Sequence, residues 1–196
     1  MILEQQMPHR FLGERVQLAF VVKDIEATIR YWTEIMRVGP FVLIENSRGN
    51  RDILYRGQST PMDFFVAFSY MGDLQIELIQ PKDDHPSLYK EFFDRGQEGY
   101  HHTAFWPEDF PAACAWLEKS GFHEIGSVRM PDGTINVAYY EAPRAIGSIV
   151  EIVPLTADRM AYFSRIHRLS RDWDGQSRPS RRFIDRAAFL ASGEGA

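Results

Sequence analysis

Val16-Gln17-Leu18-Ala19-Phe20-Val21-Val22-Lys23-Asp24-Ile25 and His101-His102-Thr103-Ala104-Phe105-Trp106-Pro107-Glu108-Asp109-Phe110 read as two copies of one pattern. Laid over each other, Ala19 meets Ala104, Phe20 meets Phe105 and Asp24 meets Asp109. Each copy is a strand-like apolar run ending in an Asp placed to cap the helix that follows. The expected helices, Ile25 to Met36 and Phe110 to Ser120, carry Tyr31-Trp32 and Trp116-Leu117 at matching places. Gly39 and Gly121 come soon after them, as helix-stop signals should.

A second match lies further along each half. Ile76-Glu77-Leu78-Ile79 with Pro81 parallels Val150-Glu151-Ile152-Val153 with Pro154. Between helix and final strand, each half offers two short β-type runs: Phe41 to Glu45 and Phe64 to Tyr70, then Glu124 to Met130 and Asn136 to Tyr140. Turn signals at Gly49-Asn50, Gly72-Asp73 and Asp132-Gly133 separate runs. The chain is therefore expected to be an α+β protein in which a βαβββ unit is used twice.

Alternation along a strand then sorts the side chains by face. Leu18, Phe20 and Val22 share one face, suited to packing under a helix, while Gln17, Ala19 and Val21 share the other. The repeat puts His102 at the place of Gln17. Alternation admits only one of His101 and His102 to that face, and the pairing with Gln17 selects His102. Glu77 and Glu151 occupy matching positions among Ile, Leu and Val, where an ionised carboxylate costs several kcal/mol unless compensated. Two carboxylates, an imidazole and an amide converging by pseudo-symmetry are expected to hold one divalent cation, whose two positive charges they balance. This mixed donor set suits Zn, Ni, Co, Fe or Mn, and four ligands leave a coordination position open for chemistry.

These residues carry a resemblance to a known family. Gly99-Tyr100-His101-His102-Thr103-Ala104-Phe105 followed by Asp109 resembles the G-x-H-H-x-A-φ strand of methylmalonyl-CoA epimerases and other vicinal-oxygen-chelate (glyoxalase-fold) proteins. Gly147-Ser148-Ile149-Val150-Glu151-Ile152 resembles their closing strand, and Gln75 to Pro81 their intermediate ligand strand. The resemblance spans about residues 14 to 155 and is specific for the superfamily, weak for the reaction. It implies two modules, about 14–81 and 99–155, forming an incomplete eight-stranded barrel around a metal held by Gln17, Glu77, His102 and Glu151. One departure is Gln17, where the epimerases carry His; some glyoxalase I enzymes also have Gln there. Pro143-Arg144-Ala145-Ile146-Gly147 stands where glyoxalase I has an N-P-D-G-like turn, and its glutathione-binding features are not evident.

In such proteins the metal chelates two adjacent oxygens and stabilises an enolate, while a nearby carboxylate moves a proton. The resemblance thus implies an isomerase, epimerase or lyase acting on an α-acidic carbonyl compound such as an acyl-CoA thioester, with Glu151 and Glu77 as catalytic residues. Trp106, Tyr139 and Tyr140 are the expected substrate-lining residues; Glu45 and Arg56, in the irregular Ile44 to Gln58 stretch, are expected in a solvated loop. Two alternatives stand. An extradiol-type dioxygenase needs two His and one carboxylate, whereas the four positions supply one His. A non-catalytic binding or resistance protein of this fold would need no metal.

Composition sets the outer bounds. At 196 residues, 44% hydrophobic and 25% charged, the chain fits one domain or two intimate halves. A net charge of −5 argues against a nucleic-acid partner, and no apolar run suggests a membrane segment. Cys114 is the only cysteine, which excludes an internal disulfide; with no secretory h-region in residues 1–13, a cytoplasmic protein is expected. Residues 156–196 form an Arg-rich helical extension, with an amphipathic helix from Ala157 to Trp173, a break over Gly175 to Ser180, and a short helix from Phe183 to Leu190. Arginines there can contact phosphate; the favoured expectation is a solvated extension that packs on a second subunit of a homodimer.

Overall fold

The computed structural model describes residues 7–196, so the first half of the expected N-terminal extension lies outside the described residues. The first module runs through β1 (Val16–Val21), α1 (Ile25–Glu34), β2 (Phe41–Ile44), β3 (Asp52–Tyr55), β4 (Gln58–Thr60), β5 (Phe64–Met71) and β6 (Leu74–Pro81). After α2 (Leu88–Asp94), the second module comprises β7 (Gly99–Phe105), α3 (Phe110–Lys119), β8 (His123–Arg129), β9 (Ile135–Glu141) and β10 (Ile149–Ile152). The chain closes with α4 (Ala157–Arg171), β11 (Ser180–Phe183) and α5 (Arg186–Ala191).

All strands join one open sheet in the order β11-β2-β5-β6-β1-β7-β10-β9-β8-β3-β4. Its middle eight strands are the doubled unit: β2-β5-β6-β1 mirrors β8-β9-β10-β7 about the antiparallel β1–β7 junction. The register repeats residue by residue. Gln17 pairs with Ala104 across the junction, as His102 pairs with Ala19. On the parallel side, Ala19 pairs with Glu77 and Ala104 with Glu151. The helices begin alike too: the Asp24 carboxylate accepts from the Ala27 amide at 2.8 Å and the Asp109 carboxylate from Ala112 at 3.0 Å, each satisfying an orphan donor of the first turn.

One face of the sheet packs under α1 and α3. Val22, Ile25, Ile29, Phe41, Ile76 and Leu78 form the core of the first half, and Leu117, Tyr140, Val150 and Ile152 that of the second. The other face curves into a cup. Its floor and walls are Ala19, Phe68, Ala104, Trp106, Tyr139 and their neighbours.

The flanking strands depart from the expected pattern. The stretch read as irregular, Ile44 to Gln58, contains most of a hairpin: β3 and β4 pair with each other, and β3 crosses to the other module to pair with β8. Residues 156–196 fold back over their own chain. The strand β11 adds in parallel to β2, with Ser180 opposite Phe41 and Phe183 opposite Ile44. The residues leading into the expected final helix are thus strand, because that edge of the sheet offers unpaired backbone groups, and the helix itself starts later, at Arg186. Tyr162, Phe163, Ile166 and Phe189 are buried against Phe68 and Trp106, so α4 and α5 roof the cup. Most of the tail's arginines are engaged internally: Arg165 donates to the Leu190 carbonyl, Arg168 to Gly195, and Arg178 and Arg181 pair with Glu194.

Candidate metal centre

The repeated register places Gln17 and Glu77 from one module beside His102 and Glu151 from the other. Ligating atoms of Glu77, His102 and Glu151 all lie within 4.8 Å of one another. His102 Nε2 stands 2.7 Å from Glu151 Oε2 and 3.6 Å from Glu77 Oε2. All four residues are buried, with His102 at 0% exposure behind the two carboxylates.

The electrostatics are those of a site short of positive charge. Burial pushes the Glu77 carboxyl up to about 7, with the Glu151 charge adding to the shift. Burial alone would strip His102 of its proton; the Glu151 carboxylate outweighs it and holds the imidazole up at about 9. Gln17 Oε1 is buried without a hydrogen bond, and Glu77 Oε2, His102 Nε2 and Glu151 Oε2 are buried with only one another as partners. These are the four atoms that would face a shared cation, so the residues present fit one.

Supporting contacts orient the donors. Gln75 Nε2 donates to the Tyr70 hydroxyl and Gln17 Nε2 donates to Gln75 Oε1, both at 2.8 Å. In that relay the Gln17 amide nitrogen is used and its oxygen is left without a partner. Behind His102, the two histidine Nδ1 atoms lie 2.8 Å apart. With His102 Nε2 toward the carboxylates, its Nδ1–H donates to Nδ1 of His101, which burial and the neighbouring His102 charge keep neutral.

His101 corrects the alternation argument. The pairing of β7 with β1 shifts between Ala19–His102 and Phe20–Tyr100, so His101 is an extra residue in a bulge. Both histidines are therefore buried, and His101 packs against Phe92 and Tyr89 from α2, a helix that the sequence patterns did not reveal. The available signal was Ser87, whose hydroxyl caps α2 by accepting from the Lys90 amide at 3.0 Å.

Above these donors the roofed cup encloses a cavity of about 430 Å³, within the range of small-molecule sites. Trp106 and Tyr139 line it as expected, and Tyr89 joins them, its hydroxyl 3.4 Å from that of Tyr139. Tyr140 does not line it. Strand alternation turns it to the helix-covered face, where its hydroxyl donates to Glu118 at 3.2 Å. Glu45 and Arg56 stay outside as well, facing Arg182 and Glu91. Sequence reasoning missed Arg51, Arg159 and Arg186, which do line the cavity.

Fold and site together define a doubled-βαβββ protein whose concave sheet gathers a buried acid–imidazole cluster beneath a ligand-sized cavity. A family model described as glyoxalase/bleomycin resistance protein/dioxygenase superfamily matches residues 16–139, and the chain belongs to that superfamily. No curated protein matches it. Among solved structures it is similar to a hypothetical protein from Bacillus halodurans C-125, at 19% identity and TM-score 0.53 over 73% of this chain and 94% of that one. It is similar also to methylmalonyl-CoA epimerase from Mycobacterium tuberculosis, at 18% identity and TM-score 0.53 over 79% of this chain and 97% of that one. A variant Streptomyces coelicolor methylmalonyl-CoA epimerase, in complex with 2-nitronate-propionyl-CoA, matches at 17% identity and TM-score 0.52 over 74% and 99%. At such identities these likenesses speak for the fold alone. Among the described residues, no helix is long and apolar enough to cross a membrane.

Proposed function

We propose that the protein is a metal-dependent isomerase, epimerase or lyase that moves a proton on carbon next to a carbonyl. The observation that carries this reading is the buried cluster of Glu77, His102 and Glu151, whose ligating atoms lie within 4.8 Å of one another at the base of the cavity. Gln17, Glu77, His102 and Glu151 would hold one divalent ion (Zn, Ni, Co, Fe or Mn). When bound, the ion supplies Lewis-acid charge to oxygens of the substrate as an enolate develops.

The chain's own residues supply the rest. Glu77 or Glu151, each able to alternate between ligand and base, would take the proton from carbon and return it. His101 holds the His102 ring through the Nδ1 contact. Phe68, Trp106 and Phe163 keep water from the reacting carbon by closing the cup. A homodimer is proposed alongside, and sedimentation of the purified protein as a monomer would remove that part.

The test is metal analysis of the purified protein followed by solvent-deuterium exchange into a panel of acyl-CoA and α-hydroxycarbonyl compounds. Stoichiometric divalent metal, with exchange lost in Glu77→Gln and Glu151→Gln, is expected. Absence of metal in the wild type, or exchange unchanged in both variants, refutes the reading.

A further inference from the structure

The cavity's second charged feature lies on its roof. Arg51, in the loop between β2 and β3, Arg159, in the first turn of α4, and Arg186, at the start of α5, all line it. None makes an ion pair with a carboxylate among the described residues. Arg51 Nε donates to the Arg48 carbonyl at 3.0 Å, Arg159 donates to the Pro154 carbonyl and to Asn136, and Arg186 donates to the Asp158 carbonyl. The Arg186 guanidinium also lies over the Tyr162 ring, 4.6 Å from its centre. These contacts aim the guanidiniums without neutralising them.

They are also close enough to oppose one another. Burial lowers the proton affinity of Arg51, and Arg186 lowers it further; burial brings Arg159 down to about 10, with Arg186 and Arg51 contributing. Guanidinium keeps its charge under such pressure. Three like charges gathered at a cavity wall are costly unless an anion enters between them. Asp185, also in the lining, caps α5, where it accepts from the Ala188 amide at 2.8 Å. Glu151, which also lines the cavity, is the carboxylate whose charge supports Arg159, but it makes its ion pair with His102.

We propose that Arg51, Arg159 and Arg186 form an anion subsite that grips a carboxylate or phosphate group of the substrate in the same cavity as the carboxylate–imidazole cluster. This rests on the proposed function and deepens it by naming the substrate as an anion. Two of the three arginines come from the segment beyond the doubled unit, so the extension confers the selectivity. Guanidinium forks bind planar carboxylate and phosphate oxygens in pairs, which also fixes the orientation of the reacting end.

The test is calorimetric binding to the purified full-length protein in a metal chelator, with succinate and inorganic phosphate as probes and neutral succinamide as control. At least one anion is expected to bind, more weakly as salt rises, and at least tenfold more weakly in Arg159→Gln and in Arg186→Gln. Arg159→Lys, which keeps the charge and loses the fork, is expected between wild type and Arg159→Gln. Binding of succinate alone assigns a carboxylate; binding of phosphate alone assigns a phosphoryl group. Should Arg159→Gln fail to fold, Arg186→Gln and Arg51→Gln decide the matter. The proposal is overturned if neither anion binds better than succinamide, or if the Gln variants that fold bind like wild type. Metal content separates the two readings: anion binding by a protein that never takes up metal ends the metal reading alone, and metal uptake without anion binding ends this one alone.

Discussion

Replacing Glu151 by Gln in the metal-free protein removes the charge that keeps His102 protonated. Burial opposes that proton, and the Glu151 carboxylate 2.7 Å away overcomes it, lifting His102 from 6.5 to about 9. The folded chain therefore binds this proton more tightly than the unfolded chain. Its contribution to stability is fully present below the unfolded value and is lost as pH rises through about 9. From 6.5 to 9 is 2.5 units, which at about 1.36 kcal/mol per unit amounts to roughly 3 kcal/mol. Glu77 acts with the same sign at lower pH: raised by burial from 4.5 to about 7, it contributes below 4.5 and loses that contribution through 7. Metal-free wild type is thus expected to lose roughly 3 kcal/mol between about pH 6.5 and 9.5. In Glu151→Gln only Glu77, at 3.6 Å, still attracts the proton, and the loss over that interval is expected to shrink below about 1 kcal/mol. Urea denaturation in chelator at a series of pH values measures both. The readout is the pH dependence, because stability at any single pH also contains the cost of burying the carboxylate itself. Equal pH dependence in the two proteins, or wild-type stability that rises over this interval, refutes the reasoning. Added cation must show the reverse trend: it replaces the proton, so its stabilisation grows with pH, reaching about 2.7 kcal/mol at a hundredfold excess over Kd.

Three further expectations concern different parts of the molecule. Gln17→Ala is expected to weaken divalent-metal binding roughly tenfold in a chelator competition, less than Glu77→Gln does, because the lost donor is neutral; an unchanged affinity removes Gln17 from the ligand set. Ile166, fully buried in α4, is expected to cost about 2–5 kcal/mol when changed to Ala, as a core position does; a loss under about 0.5 kcal/mol in urea denaturation means that the extension is not part of the core. Gly13, at φ +82° and with a Cβ position 2.2 Å from the Trp106 carbonyl oxygen, is expected to tolerate Ala poorly, losing more than about 1 kcal/mol; a thermal midpoint equal to wild type contradicts this.

The helix and strand types of the doubled unit were legible because both copies repeat their punctuation. Asp24 and Asp109 and the apolar alternation around Glu77 and Glu151 act locally, as does Gly121 after α3, whereas α1 ends at Glu34, well before Gly39. The short β3–β4 hairpin escaped because strands of four and three residues flanked by Arg and Gly carry little periodicity. Alternation selects His102, which does join the carboxylates, but it does not foresee that His101 is buried as well. Alternation holds only where the ladder is unbroken, and the bulge at His101 is set by the neighbouring strand as much as by its own residues. Tyr140 shows the same dependence from the other side, since one residue of register decides between cavity and helix-covered face.

By itself the sequence determined the doubling, the superfamily and the acid–imidazole trio of Glu77, His102 and Glu151, whose ligating atoms meet at the base of the cup. These follow from a period and from costly polar residues in apolar strands, both of which are local properties. Only the tertiary structure decided the identity of the cup's roof. Nothing near Arg159 or Arg186 in the chain distinguishes them from the arginines that bind Glu194 or backbone carbonyls. They face the cavity because β11 pairs with β2 and draws α4 and α5 across the open sheet, and that pairing is a long-range event.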